Sequence, residues 1–358
     1  MIRLREDVLE IPAYKQGAIP ASDAVKLSSN ENPYPPLPSV RDAVLGRIDD
    51  INRYPAMTAP ALVARIARHH GVPEETIALG SGSVEVAGQI ISATSGLGDE
   101  VLFAWPSFTA YPTLARIAGA TPVAVPLTTD DRHDLSAMAD AITERTRVII
   151  VCNPNNPTGT SVSAGELDEF LARVPDDVLV VLDEAYVHFS RRRDGVDGID
   201  VFRTHPNVAL LYTFSKAYGL AGLRVGYAIA QPEVAGALRR VAIPFGVTDL
   251  AQQAAIASLD APEELAERID AIVAERERVL AGLRAAGCDV ADSDANFVWL
   301  RSGPRTADVN EVLRAHGVLA RGSGQDGMRI TIGTTQENDR VLAAAEELAA
   351  VVRPVAAT

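Results

Sequence analysis

Three short clusters in this chain carry reactive groups at close spacing: Asn153-Pro-Asn-Asn-Pro-Thr-Gly159, Asp183-Glu-Ala-Tyr186 and Thr213-Phe-Ser-Lys216. An amine can hold an aldehyde as a Schiff base. A carboxylate can keep a pyridine nitrogen protonated so that the ring draws electrons. Carboxylate, phenol and amine in one crevice therefore point to pyridoxal phosphate (PLP). Taken alone, Asp183 reads as a turn cap and Lys216 as a snorkelling surface lysine; it is their combination that argues for chemistry. Lys216 is also conspicuous by composition. Of 33 basic residues only Lys15, Lys26 and Lys216 are lysines, and Lys216 lies in an apolar stretch.

A phosphate needs its own cradle. Gly80-Ser-Gly-Ser83 falls between a short strand, Ile77–Leu79, and a helix, where backbone N–H groups can hold a dianion. Thr213, Ser215 and Arg224 add donors, Arg224 standing eight residues past Lys216 across a Gly-Leu-Ala-Gly-Leu turn.

These groups require a scaffold that brings them together. Apolar runs at Val101–Trp105, Pro122–Leu127, Val148–Cys152, Val178–Leu182, Val208–Thr213 and Arg224–Ala230 are short and not cleanly alternating, as in strands buried on both faces. Helical stretches such as Ser83–Thr94, Leu135–Ile142 and Ala164–Val174 separate them. The alternation predicts an α/β fold with a mostly parallel sheet between helices. The three clusters then fall at the carboxyl ends of consecutive strands, where such sheets bind ligands. After residue 245 the pattern changes. Asp260 and Glu263 predict a capping box with Pro262 in the first turn, followed by a long helix that Gly287 stops. Strands at Asn296–Leu300, Gly317–Arg321 and Met328–Ile332, with helices near 307–315 and 336–352, predict a smaller α+β unit. The expected division is an arm over 1–29, a large PLP-binding domain over 30–245 and a small domain over 246–358.

Composition removes other classes. A length of 358 residues suggests roughly two domains. The net charge of −14 disfavours nucleic-acid binding. Cys152 and Cys288 form no CxxC pair, which suits a reducing cytoplasm. No apolar run approaches the ~18 residues of a membrane span, and with Arg3, Arg5, Glu6, Asp7 and Glu10 in place of an apolar h-region no signal peptide is expected. The six histidines show no metal spacing, so no metal site is expected.

The three clusters, with Ser215-Lys-Ala-Tyr-Gly-Leu-Ala-Gly-Leu-Arg-Val-Gly226, resemble the fold-type I PLP aminotransferases. Leu27-Ser-Ser-Asn-Glu-Asn-Pro33, Arg53-Tyr-Pro55 and Met328-Arg-Ile-Thr-Ile-Gly333 narrow the resemblance to the histidinol-phosphate aminotransferase branch. Within it, Trp105-Pro-Ser-Phe-Thr-Ala-Tyr111, Val241-Ala-Ile-Pro-Phe-Gly-Val247 and Ala295-Asn-Phe-Val-Trp-Leu300 look closest to the aromatic (phenylalanine) aminotransferases.

The resemblance implies a set of roles. Lys216 would carry the cofactor and act as the base at the substrate Cα. Asp183 would pair with the ring nitrogen, Tyr186 and Asn156 would bond the ring 3′-oxygen, and Phe108 would stack on the ring face. Gly82, Ser83, Thr213, Ser215 and Arg224 would hold the phosphate. Tyr54 would reach the phosphate of the neighbouring subunit, making the active unit a homodimer. Arg329 would clamp the substrate α-carboxylate, a task suited to a planar fork, with Asn30 at the same end. Val84 departs from relatives that carry an acidic residue there. Arg321 would bind either a substrate phosphate or the distal carboxylate of glutamate. Tyr14, Tyr34, Phe108, Tyr111 and Phe245 are candidate side-chain contacts.

The expected activity is transamination between an aromatic L-amino acid (phenylalanine, tyrosine) and 2-oxoglutarate, with both substrates small molecules. Histidinol-phosphate aminotransferase is the alternative; a PLP-dependent decarboxylase of a phosphorylated amino acid would share fold and cofactor. A PLP-fold transcriptional regulator would need an appended DNA-binding domain.

Overall fold

The computed structural model describes residues 2–11 and 23–352. Twelve strands follow in chain order: β1 (Val25–Lys26), β2 (Ile77–Gly80), β3 (Glu100–Trp105), β4 (Thr121–Pro126), β5 (Thr146–Cys152), β6 (Leu179–Asp183), β7 (Val208–Thr213), β8 (Gly226–Ile229), β9 (Phe297–Leu300), β10 (Val318–Leu319), β11 (Arg321–Ser323) and β12 (Gly327–Thr331). Seven of them form one sheet in the order β2-β8-β7-β6-β5-β3-β4. Strands β3 to β7 pair in parallel, while β8 runs antiparallel to both β7 and β2.

The central strands are apolar throughout because both of their faces are covered. Along β5 and β6, Ile149, Val151, Val180 and Leu182 enter one core cluster, while Val148, Ile150 and Val181 enter the other. Each such side chain, fully removed from water, contributes roughly 1.5–3 kcal/mol before entropy is subtracted. This two-sided burial fixes the register in which Cys152 stands beside Asp183 on the next strand.

A second sheet, β11-β12-β9, is antiparallel. Its Met328, Ile330, Val298 and Leu300 pack into a core with Leu280, Leu283 and Leu348. By alternation the opposite face carries Phe297, Trp299, Arg321, Arg329 and Thr331. The segment expected as part of an arm is built into this region: β1 pairs in parallel with β10, and Thr331 N–H donates to Leu27 O at 2.9 Å. That pairing delivers Ser28, Ser29 and Asn30 to the site.

The predicted capping box at Asp260 and Glu263 does not form. Asp260 instead closes the preceding helix, Asp249–Leu259, and its Oδ1 accepts from Arg65 Nε at 2.5 Å. The long helix Pro262–Ala285 starts from Ala261 without a side-chain cap, with Pro262 at its first position. An ion pair across to another helix has taken the carboxylate that local spacing assigned to a cap. The C-terminal helix predicted over 336–352 is two helices, Thr335–Ala343 and Ala345–Val352. No helix among the described residues is long and apolar enough to cross a membrane.

Candidate active site

A cleft of about 630 Å³ opens beyond the carboxyl ends of β5, β6 and β7. Lys216 lies in the loop that follows β7, with its Nζ 5.7 Å from the Tyr186 ring centroid and within 3.4 Å of Ser29 O. Burial, reinforced by the positive charge of Arg329, pushes its pKa down to about 8. An amine held near neutrality is a competent nucleophile and a competent base.

Asp183 ends β6 and is buried. Its Oδ1 accepts the Ala185 N–H at 3.2 Å and its Oδ2 accepts the Tyr111 hydroxyl at 2.6 Å. Burial moves its pKa up, and the Tyr111 hydrogen bond is the largest influence in the other direction. Tyr186 is buried and accepts at its phenolic oxygen from Asn30 Nδ2 at 2.9 Å. Asn30 is itself fixed: its N–H donates to Thr331 Oγ1 at 2.9 Å, and its carbonyl accepts from Asn296 Nδ2 at 3.2 Å. It adopts a left-handed backbone, φ 53°, which asparagine tolerates better than most residues. Arg329 reaches across from β12, donating to Asn156 Oδ1 at 2.5 Å and to Ser28 O at 2.7 Å. That bond leaves the Asn156 amide nitrogen as the group it can present to a ligand.

The cradle expected for an anion is also assembled. The Ser83–Thr94 helix begins at Gly82 with no side-chain cap, so its first N–H groups lie at the end of the cleft where Ser83 and Val84 form the wall. Arg224 donates to Ser215 Oγ and to Ser81 O, both at 3.3 Å, from a left-handed backbone at φ 56°. A non-glycine residue held there carries strain of the kind concentrated at functional sites. Two glycines permit the close approach. A Cβ on Gly82 would lie 2.2 Å from Arg224 Nη2, and one on Gly226 would lie 2.5 Å from the Ser83 nitrogen. Thr213 and Ser215 complete the lining.

The structure thus brings Lys216, Asp183, Tyr186, Asn156, Asn30, Phe108, Ser83, Thr213, Ser215, Arg224, Arg321 and Arg329 to one cleft, with Gly82 against Arg224. Tyr14 lies outside the described residues. Tyr54 is 83% exposed and packs against Phe245 with the rings tilted by 34° and centroids 4.8 Å apart, and it does not line the cleft of its own chain. Neither Phe245 nor Tyr34 lines the cleft; Arg268 sits over the Tyr34 ring. Tyr111 is a correction too. It is 1% exposed, and its hydroxyl is committed to Asp183, so it is no side-chain contact for a substrate. Three supporting residues lie in motifs quoted above, but their spacing gave no sign of their roles: Asn296 and Thr331, which hold Asn30, and Ser107, which donates to Asn155 Oδ1 at 2.8 Å and ties the Phe108 loop to the Asn153–Gly159 turn. Among the described residues no cluster of His, Cys, Asp or Glu is placed to hold a metal.

A lysine of lowered pKa, a buried carboxylate and a cradle of anion donors beyond the carboxyl ends of the central parallel strands define an enzyme of amine and carbonyl chemistry. Residues 22–345 match the model of aminotransferase class I and II, and the chain belongs to that family. It is 56% identical over 341 residues to an aromatic amino acid aminotransferase of Cutibacterium acnes, covering 95% of this chain and 97% of that one. An enzyme of the same name from Streptomyces coelicolor is 55% identical over 348 residues, 96% and 97% of the two chains. Among solved structures, a histidinol-phosphate aminotransferase from Sinorhizobium meliloti in complex with pyridoxal-5′-phosphate superposes with a TM-score of 0.89 at 27% identity, covering 99% of each chain.

Proposed function

We propose that this chain is a PLP-dependent aminotransferase that moves an amino group between an aromatic L-amino acid, phenylalanine or tyrosine, and 2-oxoglutarate, giving the aromatic 2-oxo acid and L-glutamate. The observation that carries the reading is Lys216 at a depressed pKa in the same cleft as the buried Asp183 and the Gly82–Arg224 cradle. Their chemistry fits PLP at three separate points: an amine for the aldehyde, a carboxylate for the ring nitrogen, and N–H, hydroxyl and guanidinium donors for the phosphate. When bound, PLP supplies the electron-withdrawing ring that stabilises negative charge at the substrate Cα. Lys216 Nζ would hold the cofactor and then move the proton at Cα. Tyr186 and the Asn156 amide would bond the ring oxygen, Phe108 would cover the ring face, and Arg329 would grip the α-carboxylate.

The aromatic substrate is favoured by the relatives' names and by the lining of the cleft. Trp105, Phe108 and Pro157 offer apolar surface there, and Arg321 is the one further arginine on the wall besides Arg329 and Arg224. A single arginine suits a carboxylate; a desolvated phosphate dianion needs more. We further read the active unit as a cytoplasmic homodimer, with 30–245 as the large domain, 246–358 as the small one and 1–29 as an arm. Leu45, Ile48, Ile51, Tyr54, Met57, Ile243 and Phe245 are exposed, an apolar surface that a second copy would cover. Steady-state kinetics with phenylalanine and histidinol phosphate side by side test the proposal. A kcat/KM at least ~10-fold higher for phenylalanine, about 1.4 kcal/mol in transition-state binding, is expected; a preference for histidinol phosphate overturns the substrate.

A further inference from the structure

We propose that Tyr111 is a positioning residue for cofactor binding, keeping Asp183 anionic and aimed at the ring nitrogen while supporting the ring-covering Phe108. The inference rests on the PLP reading above and concerns a residue that the cleft itself conceals.

Tyr111 sits in the first turn of the Ala110–Ala118 helix, three residues beyond Phe108. Its ring meets the Phe108 ring edge-on, centroids 5.5 Å apart at 89°, and its hydroxyl donates to Asp183 Oδ2 at 2.6 Å. One buried side chain therefore touches both the group that would cover the ring face and the group that would hold the ring nitrogen. The bond is short, as expected where an anion accepts.

Direction follows from the surroundings. Asp183 faces Tyr111 and Cys152 from neighbouring elements, Glu184 and Tyr186 on its own loop, and Lys216 from the loop after β7. Burial shifts this carboxyl toward its neutral form, and a neutral acid holds a pyridinium less well than a carboxylate does. Burial and the nearby carboxylate push the Tyr111 hydroxyl well above its ordinary pKa, so the phenol keeps its proton and donates. Tyr111 and the Ala185 N–H each occupy one oxygen of Asp183 and fix the plane of the carboxylate.

The test is PLP affinity against pH, read by absorbance of the reconstituted protein, with Tyr111→Phe, Asp183→Asn and the double variant. Tyr111→Phe keeps the ring that supports Phe108 and removes only the donor. Its PLP Kd should rise roughly tenfold, the order of one charge-assisted hydrogen bond. The loss should deepen at a higher pH than in the wild type, because the carboxyl now takes a proton sooner. In the Asp183→Asn background the same substitution should cost little. Equal costs in both backgrounds, or an unchanged Kd and pH profile in Tyr111→Phe, overturn the proposal. An Asp183→Asn protein with wild-type affinity and spectrum would instead overturn the PLP reading of Asp183. Should Tyr111→Phe fold poorly, Tyr111→His, which retains a ring donor, must keep more PLP affinity than Tyr111→Leu; parity between them also overturns it.

Discussion

Arg321 and Arg329 are direct partners across β11 and β12, so both side chains leave the small sheet on one face and both line the cleft. The strand pairing alone places two arginines at partner positions on the wall. Guanidinium forks are suited to binding carboxylates through two hydrogen bonds. The pair therefore fits substrates that present one carboxylate or two.

Arg329→Lys should raise KM for the amino donor about ten- to a hundredfold, since one arm of a charge-assisted fork is worth roughly 1.5–3 kcal/mol. PLP affinity should change far less. Steady-state kinetics beside a PLP titration separate the two effects. A donor KM within twofold of wild type would show that Arg329 does not clamp the carboxylate.

Lys216→Ala should still take up PLP through Arg224 and Asp183 but lose the visible absorption of the lysine-bound cofactor. Turnover should fall by at least the two to four orders of magnitude typical of a lost acid–base group. An absorbance scan and single-turnover kinetics check both halves. Residual wild-type activity would remove Lys216 from the mechanism.

Tyr54 stands 83% exposed on its own subunit, where it can serve another. Co-refolding Lys216→Ala with Tyr54→Ala chains should yield some dimers with one fully wild-type site. Activity above that of either parent would support a contribution across the interface. No gain would place Tyr54 in its own subunit's work or in none.

Glu184 gives a stability test apart from turnover. Burial raises its pKa to about 7 from an ordinary value of 4.5, with Asp197 and Asp183 adding to the rise and Tyr212 opposing it. Between these values the folded chain holds a proton that the unfolded chain has released, so stability falls as pH rises through this window. The cost is absent below the lower value and complete above about pH 7, where it is bounded by about 3 kcal/mol. Glu184→Gln should remove the slope. Urea unfolding at pH 5 and pH 8 should show the variant gaining on the wild type only at the higher pH.

The sequence made the groups that touch the cleft legible and left the groups behind them obscure. Lys216, Asp183 and Arg224 lie in contiguous motifs at strand ends, where chemistry and position coincide. Tyr111 reads equally well as an aromatic contact for a substrate, and only the folded chain brings the first turn of its helix to Asp183, 72 residues away in sequence. Asn296 and Thr331 hold Asn30 across more than 260 residues of chain, a separation that local spacing cannot reveal. Asp260 failed as a cap for the same reason: its partner, Arg65, is distant in sequence. The strands were legible because burial on both faces leaves an unmistakable apolar run.

Arg321 should decide which anion the wall is built for. If it serves the distal carboxylate of glutamate, Arg321→Ala will damage the glutamate half-reaction much more than the phenylalanine one, because only glutamate presents a second anion. The difference should be roughly ten- to a hundredfold in kcat/KM, the value of one charged hydrogen-bonded contact. Phenylalanine should be nearly indifferent, since Arg329 alone can meet its single carboxylate. Single-turnover measurements of each half-reaction isolate the two without the other substrate present. Equal damage to both would mean that Arg321 supports the wall and reads no second charge. Loss confined to a phosphorylated donor would move the assignment to histidinol phosphate.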